Sequence, residues 1–284
     1  MQTRININGV ITALEDAKIS VLDHGLLFGD SVYETLRTYQ GKPFLFLRHF
    51  RRLQHSAEGL HLQLPWTREQ TFDQIQRTLL PGECRIRLVV TRGVGALSAD
   101  PETCHDPTTI IIVVPLRALP QEIYSDGVEV IISSVRRSPR MADVKSGSLI
   151  HQVLAAREAK EKNAFEAILL TADEKLSDGI TSNIYLVRNG TVMTPSHDAG
   201  IVEGITRGVI LDISRSMGLP VIEGFFPVSD IAGADEMFLT STTREVVPIV
   251  RVDGRAFGTG RPGPVTKRLH EAYRSEVQRL IVED

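Results

Sequence analysis

Of the seven lysines in this 284-residue chain, Lys145 is the one placed where an amine could do chemistry. It lies in Asp143-Val-Lys-Ser-Gly-Ser148, a small-residue loop leading into a helix striped with Leu149, Val153 and Leu154. A lysine pointing from such a loop into an interior cleft is partly desolvated, which lowers its pKa and makes it nucleophilic. A solvated loop lysine is the plain alternative, and the spacing alone does not decide between them.

Three further segments carry groups suited to a phosphorylated or heteroaromatic ligand. Gly204-Ile-Thr-Arg207 opens a helix bearing Val209, Ile210, Ile213 and Met217, so its backbone N–H groups and helix dipole could hold a phosphate. Thr206 as an ordinary N-cap fits the same residues. Ser241-Thr-Thr243 joins two strands and offers hydroxyl donors, as many simple turns do. Asp178, in Leu176-Ser-Asp-Gly179, could keep a ring nitrogen protonated, the requirement of an electron-sink cofactor, or be a turn aspartate.

Other chemistries find little support. The eight histidines form no HExxH or HxH pair, so no metal site is expected. No GxSxG, Walker-type or GxGxxG sequence opens a helix after a strand. Cys84 and Cys104 lack metal or disulfide-framework spacing and read as reduced thiols. The 35 acidic and 32 basic residues give a net charge of −3, without the basic footprint of a nucleic-acid or membrane-surface binder. The N-terminus lacks the apolar core of a signal peptide, and the run Ile110–Pro115 is too short to cross a bilayer, so a cytoplasmic protein is expected.

The elements that must position these residues are mixed. Residues 4–8, 9–14, 31–39, 43–46, 84–91 and 108–115 read as strands, with helices over 47–60 and 69–80. Residues 119–126, around Pro120, read as a linker between a small domain (1–118) and a larger one (127–284). The second part carries strands at 127–134 and 166–171, the hairpin 183–194 closed on Asn189-Gly190, and further strands at 221–226, 236–240 and 246–252. Helices are expected over 148–163, 206–217 and 264–281. Strands and helices in both halves argue for two α/β or α+β domains.

In order along the chain, Leu22-Asp-His-Gly-Leu-Leu-Phe-Gly-Asp30, Val32-Tyr-Glu-Thr-Leu-Arg37, His49-Phe-Arg-Arg-Leu53, Val144-Lys-Ser146, Asp178-Gly-Ile-Thr-Ser-Asn-Ile184, Gly204-Ile-Thr-Arg207 and Ser241-Thr-Thr-Arg-Glu-Val246 resemble the class IV, or fold-type IV, pyridoxal-phosphate aminotransferases. The resemblance covers nearly the whole chain. It implies a small α/β domain plus a larger pseudo-barrel α/β domain, pyridoxal 5'-phosphate as cofactor, amino acid and 2-oxo acid substrates, and a homodimer. It makes Lys145 the Schiff-base lysine. Arg52, Ile205, Thr206 and Thr242 become the phosphate ligands, and Asp178 the partner of the pyridine nitrogen, where the family usually has glutamate.

Within the family the residues point two ways. Phe28, Tyr33 and Arg37 resemble the pocket wall of the branched-chain enzymes, and Arg92-Gly-Val-Gly-Ala-Leu97 resembles their loop. Leu149 and Thr35 depart from that pattern. Leu149 and the Ser241–Thr243 run fit the D-amino acid enzymes, whose arginine-x-histidine pair is missing from residues 92–100. Arg37, Arg92 and Arg244, with Thr243, are the candidates for binding substrate. The expected reaction moves an amino group between an aliphatic branched-chain L-amino acid and 2-oxoglutarate. A D-amino acid aminotransferase is the alternative, and aminodeoxychorismate lyase or amine transaminase comes third.

Overall fold

The computed structural model describes residues 2–137 and 144–283. Asp143 and most of the loop expected before Lys145 lie outside the described residues. The chain divides into two compact units, one comprising Met1–Arg117, Val144–Leu149 and Leu280–Asp284, the other Ala118–Asp143 and Ile150–Arg279.

In the first unit the strands are β1 (Arg4–Ile7), β2 (Val10–Thr12), β3 (Ser31–Tyr39), β4 (Lys42–Pro43), β5 (Cys84–Thr91) and β6 (Thr108–Pro115). They form one antiparallel sheet in the order β2-β1-β6-β5-β3-β4. Alternation drives it: on β5 Cys84, Ile86, Leu88 and Val90 are buried while Arg85 and Arg87 face the other way. The buried face packs on α2 (Phe46–Gly59) and α3 (Arg68–Thr78), through Phe50, Leu53 and Ile75. A short helix, α1 (His24–Leu27), stands in the loop before β3, its N-terminus capped by the Asp23 carboxylate. The apolar run Pro43–Phe46, expected as a strand, instead ends after Pro43. Leu45 turns left-handed at φ 51° and Phe46 starts α2, because helical spacing buries Phe46, Phe50 and Leu53 together.

The second unit begins with α4 (Glu122–Ser125), inside the stretch read as a linker. It continues through β7 (Val128–Arg136), α5 (Ile150–Glu161), β8 (Glu166–Leu170), β9 (Leu176–Gly179), β10 (Asn183–Arg188), β11 (Thr191–Pro195), α6 (Ile205–Ser216), β12 (Val221–Gly224), β13 (Glu236–Ser241), β14 (Glu245–Val252), β15 (Arg255–Ala256) and α7 (Pro264–Glu283). The sheet order is β12-β11-β10-β13-β14-β7-β8-β9, with β15 on β14. The β11–β12, β14–β7 and β7–β8 pairs are parallel. The two sheets and their helices make the mixed α/β fold that the sequence called for.

Two details depart from expectation. Leu176–Gly179 forms a buried strand, so Asp178 is a strand residue and not a turn residue. On α5 the buried positions are Ala155 and Ala159, whereas Ile150, Val153 and Leu154 are exposed, the reverse of the apolar stripe expected. The small alanines let the helix lie close on β7 and β8. Among the described residues no helix is long and apolar enough to cross a membrane.

Neighbouring residues on β5 give a direct test of this alternation. Ile86→Ala removes a fully buried side chain and is expected to cost about 2–5 kcal/mol. Arg85→Ala, on the opposite face, should change stability by within about 0.5 kcal/mol. Urea-unfolding midpoints of the two variants decide it, and equal losses would contradict the assigned facing.

Candidate active site

The Lys145 segment is not a solvated loop. It runs antiparallel along β3: Tyr33 N donates to Lys145 O at 3.0 Å, Gly147 N donates to Ser31 O at 2.7 Å, and Ser146 bridges Val32. Lys145 N donates to the buried Ser56 Oγ on α2 at 3.0 Å. Gly147 permits the close approach, since a Cβ there would lie 2.0 Å from Ser31 Oγ. With its main chain fixed, the Lys145 amino group reaches 3.5 Å from Tyr33 Oη and lies 4.5 Å from the centre of that ring.

Charges on both faces of β3 tune this amine. Tyr33, on the same face as Thr35 and Arg37, is covered by the Arg87 guanidinium at 3.4 Å from its ring centre. On the opposite face the buried Glu34 carboxylate accepts Arg52 Nε and Nη2, each at 2.7 Å, and His49 Nδ1 at 2.7 Å. Burial raises Glu34, but Arg52 and His49 more than offset it and hold the carboxyl well below the usual range. Burial lowers Lys145, aided by the Arg52 charge, and outweighs the opposite pull of Tyr33 and Glu34. Burial raises the Tyr33 phenol, yet the Lys145 and Arg87 charges bring it below its ordinary value. Burial also lowers His49, and its Nε2 is buried with no hydrogen-bond partner among the described residues.

In the second unit, Asp178 is buried on β9. Its Oδ2 lies 3.5 Å from Arg137 Nη2 and accepts Val202 N at 3.4 Å. The flanking Ser177 and Ser182 hydroxyls are buried without partners among the described residues. Ile205 and Thr206 form the first turn of the twelve-residue α6. Its N-cap is Gly204, not Thr206, and no side chain caps it. A Cβ on Gly204 would lie 2.0 Å from Asn183 Oδ1, so glycine there lets the start of β10 pack against the helix start. Thr242 and Thr243 occupy the half-buried turn between β13 and β14.

The arginines separate by their partners. Every guanidinium nitrogen of Arg92 is bonded within the protein, to the Asp30 carboxylate and to the Leu60 and His61 carbonyls. Arg244 is likewise engaged by Ser241, Glu166 and Thr181. Arg37 stacks on Tyr39 at 3.8 Å. Arg87 belongs to no motif in the sequence, although the alternation Cys84-Arg-Ile-Arg-Leu88 and the register with β3 place it across from Thr35 on the face that carries Tyr33. Phe28 is exposed at the end of α1.

Each unit, taken by itself, carries groups that suit part of a phosphorylated aldehyde. The first unit offers an amine of lowered pKa beside a phenol and an arginine. The second offers a helix N-terminus lacking a side-chain cap, a hydroxyl-bearing turn, and a buried carboxylate suited to a ring nitrogen.

Comparison with known proteins agrees. Residues 31–252 match the family model described as Amino-transferase class IV. A Methanocaldococcus jannaschii protein, provisionally named a branched-chain-amino-acid aminotransferase, is 39% identical over 277 residues, covering 95% of each chain. The D-alanine aminotransferase of Listeria monocytogenes is 32% identical over 99% of this chain and 98% of its own. Among solved structures, the T.th. branched-chain amino acid aminotransferase with pyridoxamine 5'-phosphate superposes with a TM-score of 0.91 at 31% identity, covering 96% of this chain and 93% of that one. The Escherichia coli branched-chain enzyme gives 0.89 at 29% identity, with the same coverage. The chain therefore belongs to the class IV aminotransferases, the fold-type IV enzymes that use pyridoxal 5'-phosphate.

Proposed function

We propose that this aminotransferase moves an amino group between an aliphatic, branched-chain L-amino acid and 2-oxoglutarate, with Lys145 carrying the cofactor. The observation that bears most weight is the amine of Lys145, held by main-chain pairing to β3 and lowered in pKa by burial. The match to the Methanocaldococcus jannaschii protein over 95% of both chains supports the substrate class. When bound, pyridoxal phosphate supplies a carbonyl for amines and a sink for electrons released at the substrate α-carbon.

The protein's own residues would do the rest. Lys145 Nζ, neutral for a larger fraction of the time than an exposed lysine, takes up and returns the α-proton. Arg52, the N–H groups of Ile205 and Thr206, and the Thr242 hydroxyl would hold the phosphate, and Asp178 would partner the ring nitrogen. Arg87 joins Arg37 as a candidate for a substrate carboxylate, because its guanidinium lies over Tyr33 beside Lys145. Phe28 and Thr243 are the remaining proposed substrate contacts.

The D-amino acid reading draws on the relative from Listeria monocytogenes, which matches nearly the full chain. A homodimer is part of the proposal, supported by Ile150, Val153 and Leu154 standing exposed along α5. A cytoplasmic location suits the two unpaired thiols, Cys84 and Cys104.

Four measurements test this reading. With limiting pyridoxal phosphate and borohydride at pH 8, the cofactor-free protein should be labelled at Lys145 ahead of the other lysines. The lowered pKa leaves more neutral amine at Lys145, and the preference should fade as pH approaches about 10.4, where exposed lysines also deprotonate. Labelling spread over many lysines would contradict the assignment, and Lys145→Ala should cut transamination by about 10²–10⁴-fold or more.

A half-reaction panel followed by cofactor absorbance should show conversion by L-leucine, L-valine and L-isoleucine. Fast conversion by D-alanine with none by L-leucine would select the alternative. Light scattering should give twice the mass of one chain, and Val153→Glu should lower it; an unmodified protein that stays at one chain's mass refutes the dimer.

A further inference from the structure

Glu166 has no role in the chemistry above, and Arg244 was expected to meet substrate, yet together they tie down the two turns that carry Asp178's neighbours and Thr242. We propose that Glu166 and Arg244 are positioning residues that fix the spacing between the Asp178 strand and the Thr242 turn. Both ends of the cofactor would then be gripped in one register. This deepens the cofactor assignment made above and rests on it.

The geometry is specific. Glu166 opens β8 and is 2% exposed. Its Oε1 accepts Thr181 N at 2.8 Å, and its Oε2 accepts Arg244 Nη1 at 2.5 Å. Arg244 also donates from Nη2 to Thr181 Oγ at 2.6 Å and from Nε to Ser241 Oγ at 3.0 Å. One carboxylate and one guanidinium therefore join the start of β8, the turn between β9 and β10, and the turn between β13 and β14. The last backbone pair between β10 and β13 is Asn183 with Thr240. Both turns project past that rung, and the Arg244 bonds bridge them there.

Each turn is also clamped on its own side. Gly179 follows Asp178 and donates its N–H to Ser182 O at 2.7 Å. A Cβ on Gly179 would lie 2.3 Å from Ser182 Oγ and 2.8 Å from Glu166 Oε1, so Glu166 packs directly against Asp178's neighbour. On the other turn, Arg244 O accepts Tyr124 Oη at 3.2 Å. Glu245 is buried in a left-handed conformation at φ 60°, held by His270 Nε2 at 3.2 Å and Arg274 Nε at 3.0 Å. A strained, well-braced residue beside a candidate site marks a turn whose shape matters. A buried ion pair adds little net stability but leaves a costly unpaired charge when broken, so its natural use is to enforce one arrangement.

Equilibrium binding of pyridoxal 5'-phosphate to the cofactor-free protein tests the proposal. Covalent uptake at Lys145 by the unmodified protein is scored first. No uptake refutes both the cofactor assignment and this inference, whereas the results below bear on the inference alone.

Glu166→Gln and Arg244→Lys are each expected to raise the dissociation constant by about tenfold or more. Each should also shift the pH midpoint of the bound cofactor's absorbance by about half a unit or more, because the ring loses its register with Asp178. Asp178→Asn and Thr242→Val should be non-additive in binding in the otherwise unmodified protein and additive within about twofold in the Glu166→Gln background. A lowered thermal midpoint with binding and pH midpoint unchanged overturns the proposal. If Glu166→Gln does not fold, additivity of Asp178→Asn and Thr242→Val in the otherwise unmodified protein overturns it equally.

Discussion

The first unit's candidate chemistry hangs on a short stretch of main-chain pairing between residues 145–147 and the start of β3. Two backbone hydrogen bonds and the anchor to Ser56 Oγ hold the Lys145 Cα in place, so only the four-carbon stem remains free to move. A mobile lysine would spend much of its time in water, where its ammonium form is favoured. Fixing the backbone is what allows burial to lower its pKa. The same pairing fixes Tyr33, whose N–H is used in it and whose ring carries both the Lys145 amine and the Arg87 guanidinium.

Behind that pairing, β3 separates two electrostatic settings by its alternation alone. Tyr33 faces one way with its cationic neighbours, and Glu34 faces the other into a buried set with Arg52 and His49. A one-residue slip of β3 would exchange these faces and bring Glu34 to the Tyr33 position. The pairing of seven consecutive residues with β5, from Ser31 with Thr91 to Arg37 with Arg85, opposes such a slip.

How much of this could be read beforehand depended on how local the cause was. The β5 and β6 strands, α2 and the Asn189-Gly190 hairpin follow from alternation, helical spacing and turn chemistry, all visible within a dozen residues. Lys145 was suggestive from its loop and was singled out by resemblance, but its pairing with β3 spans more than a hundred residues. The strand that carries Asp178 is not legible in Leu176-Ser-Asp-Gly179, which has no apolar alternation; neighbouring strands make it one. Arg87 needed the register with β3 to show which face it shares. The Glu166–Arg244 pair joins residues 78 apart, and nothing near either residue announces the other.

The division of the chain carries a consequence for its synthesis. The first compact unit takes in residues 1–117, returns for 144–149, and recruits 280–284 at the far end, where Lys42 Nζ donates to Ile281 O at 3.2 Å. Its sheet can collapse while translation continues, since β1 to β6 are already made. The strand-like segment bearing Lys145 joins only after the next stretch emerges, and the last contact waits until residue 281 has left the ribosome. While the residues between Pro115 and Lys145 are being made, this unit therefore exists with the β3 edge that will receive Lys145 unpaired, a template that another extended chain could occupy. Holding that edge open until its own residues 145–147 arrive is a demand on folding order that the finished molecule no longer displays.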